Sequence, residues 1–126
     1  YAKLLTKDFR DMHKGLEVTK FDSGVIATPL LNMQQVQDEG VKMKHCVGAY
    51  AVQCAEGDYL VWHLTKGATE TTLGINVQNN DYLVATSEEK YNLQQHYGVC
   101  NAVVEDSDLK NAAKDIVKML NEMNKE

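Results

Sequence analysis

The chain has 126 residues, a net charge of −5, hydrophobic residues at 44% and an isoelectric point near 5.3. That length holds one domain with one core, and no apolar run approaches the roughly 18 to 20 residues of a membrane-spanning helix, so a soluble, cytoplasmic domain over 1–126 is expected. The acidic balance argues against a global grip on phosphate backbones and leaves only a local basic patch, Lys42, Lys44, His45 and Lys66, where nucleic acid would fit.

Taken in order, Thr6 as N-cap, early acid, late base and Gly15 as a stop predict a short helix over 6–14, with His13 facing the negative end of its dipole. A loosely alternating stretch, 16–21, and the β-rich run 24–28 predict a hairpin about Asp22, Ser23 and Gly24, ended by the chain's one proline, Pro29. Asn32 then caps a helix over 33–39, with Gln35 as the return partner of a capping box and Gly40 as its end. Met33, Val36 and Gln37 are expected to face inward, with Gln34, Asp38 and Glu39 outward.

A second helix is expected over 45–56, its start uncapped and its inward stripe formed by Cys46, Tyr50 and Cys54. An antiparallel meander follows: strands 59–65, 71–77 and 82–86, with turns at 66–68 and 79–81. Alternation puts Leu60, Trp62 and Leu64 on one face with Leu73, Ile75 and Val77, and His63 on the less buried face. Segment 87–92 reads as an excursion, 94–101 as strand or loop. Asp106 or Ser107 opens a last helix whose apolar stripe runs from Leu109 through Ile116 to Met123. The fold class is therefore α+β: an antiparallel sheet of about four to five strands packed with helices, the C-terminal one amphipathic.

Three cysteines without a Cys-x-x-Cys pair predict reduced thiols rather than disulfides, and the four histidines form no ligand spacing with them, so neither a metal nor another cofactor is expected. The start at Tyr1, with no leader, is read as a domain cut from a longer chain with further domains.

Leu30 and Leu31, Glu39-Gly40, Met43 to Val47 with Tyr50, Gly57, a hairpin, and then Gln95, Gly98 and Asn101 at intervals of three resemble the PcfJ-like family of conjugative plasmids, phages and other mobile elements. The likeness runs over about residues 30–101. It departs from the family in an extended segment 87–92 and in Val99-Cys100, where basic residues are common beside the glycine. The resemblance implies an accessory role in plasmid conjugation or phage DNA metabolism, with DNA, RNA or a protein of the same element as partner.

The candidate site gathers His45, Cys46, Tyr50, Gln95, Gly98 and Asn101, with Lys42 and Lys44 beside it. A thiol nucleophile needs an imidazole within hydrogen-bond reach. Neighbours His45 and Cys46 diverge by about 100 degrees on a helix, which makes His96 the easier base. Such a pair would support a transferase or hydrolase. Binding makes fewer demands: His45, Tyr50, Gln95 and Asn101 lining one cleft, with Gly98 allowing close approach, would read a base, nucleotide or peptide.

Overall fold

A computed structural model describes residues 2–78 and 89–125. After a short helix α1 (Ala2–Leu5) and a 3-10 turn (Phe9–Asp11), the hairpin β1 (Thr19–Lys20) and β2 (Val25–Pro29) leads into helix α2 (Met33–Met43). A second 3-10 turn (Cys46–Tyr50) runs into the short helix α3 (Ala51–Ala55). Strands β3 (Tyr59–Lys66), β4 (Thr69–Val77) and β5 (Tyr91–Gly98), a third 3-10 turn (Val99–Asn101) and helix α4 (Ser107–Met123) complete the chain.

Among the described residues the sheet has five strands in the order β1-β2-β3-β4-β5, every pair antiparallel. The fold is α+β, with helices on both faces of this meander. Gly24 and Gly67 supply the positive φ that the two tight turns require. The strand and turn expected over 79–86 lie outside the described residues, as does the start of the 87–92 excursion, and β5 occupies the place of the undecided 94–101 segment. Among the described residues no helix is long and apolar enough to cross a membrane.

The sheet register sorts side chains between two layers. Leu60 stands opposite Ile75, Trp62 opposite Leu73 and Leu64 opposite Thr71, while Tyr59, Val61 and His63 face the other way with Asn76, Gly74 and Thr72. Lys66 shares the first face, and its ammonium reaches Asp106 at 3.0 Å and Asp108 at 2.6 Å, so α4 covers that face. Leu109, Ala112, Ala113, Ile116 and Leu120 of α4 are buried in the core. Complete burial of a Leu or Ile side chain contributes about 1.5–3 kcal/mol each. Asp106 opens α4 as expected, accepting from the N–H groups of Asp108 and Leu109.

Several expectations are corrected by packing. The 6–14 segment holds one 3-10 turn rather than a helix, because the Asp8 carboxylate caps the Arg10 N–H and also binds its guanidinium. His13 is not a charged dipole partner: it is buried, and its Nδ1 pairs with the Tyr91 hydroxyl at 2.8 Å. Burial pushes its pKa down to about 4. Helix α2 passes through Gly40 to Met43 and stops at Lys44, whose φ of 55° is left-handed. Asn32 caps it, while Gln35 returns its carbonyl oxygen to the N–H of Leu31 rather than of Asn32.

The expected helix 45–56 is broken in two. Cys54 turns inward as expected, but Cys46, placed inward by the same stripe, is exposed, and Val47, Ala51 and Ala55 complete the buried side. The reason lies in two glycines. A Cβ on Gly40 would stand 2.8 Å from the Gly48 nitrogen, so α2 and the turn touch backbone to backbone. The N–H of His45 also bonds the Gly40 carbonyl at 3.2 Å, which holds 46–50 in tight 3-10 geometry.

Candidate functional site

The turn after α2 faces the last third of β5. His45, Cys46, Val47 and Tyr50 form one wall, Gln95, Tyr97 and Asn101 the other, and Thr72 the floor, enclosing a cavity of about 160 Å³. Four side chains singled out in the sequence, His45, Tyr50, Gln95 and Asn101, thus line one cavity, with Cys46 beside them. Alternation along β5 explains Gln95 and Tyr97, which pair with Gly74 and Thr72 on the face turned toward α2.

Gly74 makes this wall possible. The Tyr59 hydroxyl reaches across it to accept from Gln95 Nε2 at 2.8 Å, and a Cβ on residue 74 would collide with that hydroxyl. Tyr59 in turn stacks on Tyr50 with ring centroids 4.3 Å apart, so one aromatic pair ties both walls together. At the far corner Asn101 adopts a left-handed φ of 61°, which asparagine tolerates, and the preceding Cys100, φ 58°, is the less usual occupant of that region.

His45 is the N-cap of the turn: its Nδ1 accepts from the Val47 N–H at 3.4 Å, which assigns the proton to Nε2. Nε2 is buried without a partner among the described residues. Burial lowers the ring's proton affinity, outweighing the pull of Glu39, so the neutral ring is favoured. Its lone pair already serves the backbone and is not offered to Cys46.

His96 does not fulfil the role expected of it as a base. It lies opposite Leu73 on the α4 face, with Nε2 2.9 Å from the Thr71 hydroxyl, and burial brings its pKa down to about 4. A strand side chain next to Gln95 and Tyr97 points away from them by the period of the pleat. The other two imidazoles are equally engaged, His13 with Tyr91 and His63 with two glutamates.

Lys42 and Lys44 do not line the cavity. Lys42 pairs with Glu70 at 2.9 Å, and Lys66 is held by the start of α4, so the basic patch is dispersed. Gly98 also lies apart from the cavity: it lines a separate groove of about 330 Å³ with Val99, Val103 and Glu105, and a Cβ there would meet only ordinary contacts.

A polar cluster under the cavity floor has no counterpart in the sequence pattern. Glu39, expected at the surface, is 5% exposed. Its carboxylate accepts from the Thr72 hydroxyl at 2.5 Å and meets His63 Nδ1 at 2.6 Å. His63 Nε2 lies 3.2 Å from Glu70, and Lys42 closes the row. The hydrogen bond to Glu39 raises the His63 pKa above its ordinary value. Among the described residues no group of three or more His, Cys, Asp or Glu is arranged to hold a metal ion.

A family model described as PcfJ-like protein matches residues 3–111. The chain belongs to the PcfJ-like family. Neither curated proteins nor solved structures yield a match to it. Within this PcfJ-like chain the fold gives several of the quoted residues physical roles: Glu39 and Gly40 anchor α2 to the sheet and to the turn, His45 caps the turn, and Gln95 and Asn101 close the opposite wall.

Proposed function

We propose that this PcfJ-like chain is an accessory binding module of a mobile genetic element that captures a protein partner at the cavity between the 46–50 turn and β5. The mobile-element setting rests on what family membership implies. The observation that carries the binding reading is the convergence of His45, Cys46, Tyr50, Gln95, Tyr97 and Asn101 on one cavity that, among the described residues, no Lys, Arg, Asp or Glu side chain lines. Carboxamides, phenols and a hydroxyl recognise uncharged hydrogen-bonding groups, and the half-exposed Tyr97 offers a rigid apolar face at the mouth. With Lys42 and Lys66 tied to carboxylates and a net charge of −5, the surroundings give little counterion release to a nucleic acid.

Titration of a labelled single-stranded oligonucleotide, followed by fluorescence anisotropy at low and physiological salt, separates the two kinds of partner. The protein reading expects no saturable, salt-sensitive association. Tight binding that falls steeply with salt and is weakened by Lys44→Glu would overturn it in favour of nucleic acid.

A further inference from the structure

His63 stands where α2 meets the sheet, and every charged group that faces it takes part in one row. From α2 come Glu39 and Lys42, and from β4 comes Glu70, with the Thr72 hydroxyl bonded to the same carboxylate oxygen of Glu39. Across the β2–β3 pair its neighbour is the uncharged Thr28. His45, from the turn, senses the Glu39 charge. With both ring nitrogens protonated, His63 can donate to Glu39 and Glu70 at once. A neutral ring keeps one N–H, and its other nitrogen then turns a lone pair toward a carboxylate.

Two of these contacts lead directly to the cavity. Thr72 is its floor, and α2 is joined to the His45–Tyr50 wall by the Gly40–Gly48 backbone contact and the His45 N–H to Gly40 bond. The opposite wall, Gln95 and Tyr97, belongs to β5, is held by its pairing with β4, and meets the turn through the Tyr59–Tyr50 stack rather than through α2. Any loosening of α2 from the sheet therefore changes the distance between the walls. We propose that the Glu39–His63–Glu70 row is a proton-operated latch that sets the cavity: it holds the turn against β5 while His63 is charged and relaxes when His63 loses its proton.

This latch deepens the binding reading by adding a control to the same cavity, yet it operates in the free protein. The sign follows from the raised proton affinity of His63: the closed form is complete below the ordinary histidine value of about 6.5 and is lost as pH rises through the higher folded value.

The test is a two-dimensional amide and histidine-ring NMR titration of the free protein from mildly acidic to mildly alkaline pH. The latch requires the amides of Val47, Gly48 and Gln95 to shift with the midpoint of the His63 ring. In His63→Gln that shared transition is lost. Glu70→Gln, a change at a half-exposed residue, keeps the fold and moves the ring and amide midpoints down together. Amides of the turn that stay still while His63 titrates, or that keep their transition in His63→Gln, overturn the latch. So do midpoints unmoved by Glu70→Gln. Because no partner is present, a failed latch leaves the partner-capture reading standing, and a failed capture leaves the latch standing.

Discussion

On the α4 side of the sheet, Leu60, Trp62, Leu64, Leu73 and Ile75 are buried along with Leu109, Ile116 and Leu120 of the helix, and the imidazoles on this side, His13 and His96, are held neutral by burial. On the α2 side, Thr72, Gly74 and His63 occupy the alternate strand positions, a carboxylate is buried among them, and His63 is biased toward its charged form while His45 of the turn favours the neutral ring. The same three strands thus support an apolar layer on one face and a polar, cavity-bearing layer on the other. Over β3 and β4, the face covered by a 17-residue amphipathic helix fills its volume with side chains, and the groove of about 330 Å³ lies only at the N-terminal end of that helix, beside Asp106 and Leu109. A face covered by a shorter helix and a tight turn joined through Gly40 and Gly48 leaves a gap.

Substitutions that act on one face alone sharpen that contrast. Leu120→Ala on the α4 side is expected to cost about 4 kcal/mol in denaturant unfolding, through lost burial and the void it leaves. Glu39→Ala on the other side is expected to cost about 3 kcal/mol near pH 6, because His63 loses its principal partner. A markedly smaller loss for Glu39→Ala would mean that the polar row adds little to the α2 interface.

His13 on one face and His63 on the other respond to pH in opposite senses. His13 has a folded value near 4 against an ordinary value of about 6.5, so its contribution is complete above about 6.5 and is lost as pH falls toward 4. It amounts to about 3 kcal/mol. His96 adds in the same direction. His63 runs the other way, favouring the folded state below about 6.5 and losing that advantage as pH rises through its raised value. Unfolding free energies measured across this range should show a smaller acid-side fall in His13→Gln, the His96 part remaining, and should lose the alkaline-side fall in His63→Gln. One variant abolishing both slopes would break the division into faces.

A smaller effect is expected at Gly74→Ala, about 1–2 kcal/mol, since the methyl displaces Tyr59 from Gln95 without touching the α4 layer. Smallest in stability is alkylation. Cys46 and Cys100 are both exposed and should react with iodoacetamide at similar rates near neutral pH, while buried Cys54, with its pKa pushed up to about 12, stays protected. Cys46 reacting far faster than Cys100 would signal an activated thiol and revive a covalent chemistry.

How far the chain could be read in advance differs between the same two faces. The period-two pattern of β3 and β4 and the three-and-four spacing in α4 located the apolar layer almost to the residue, because burial there follows hydrophobicity alone. Asn32, Asp106 and the Gly24 turn were legible for their local chemistry. The polar layer was not. Glu39 reads as a surface carboxylate until His63, twenty-four positions later, is known to meet it. The break at Cys46–Tyr50 depends on Gly40 and Gly48 meeting in space. Thr72 could have been found as the neighbour of the inward Leu73, on the opposite face, and Tyr97 as the residue two beyond Gln95, on the same face.

Capture of a protein partner through uncharged contacts, proposed for the cavity between the turn and β5, can be tested on the chain itself. The most direct measurement is pairwise association of the purified chain with the proteins encoded by the genes beside its own, comparing wild type with Tyr97→Ala and Asn101→Ala at low and physiological salt. Association that is insensitive to salt and weakened about tenfold or more by each substitution, at unchanged unfolding stability, is the expected result. Association unaffected by both substitutions would contradict it.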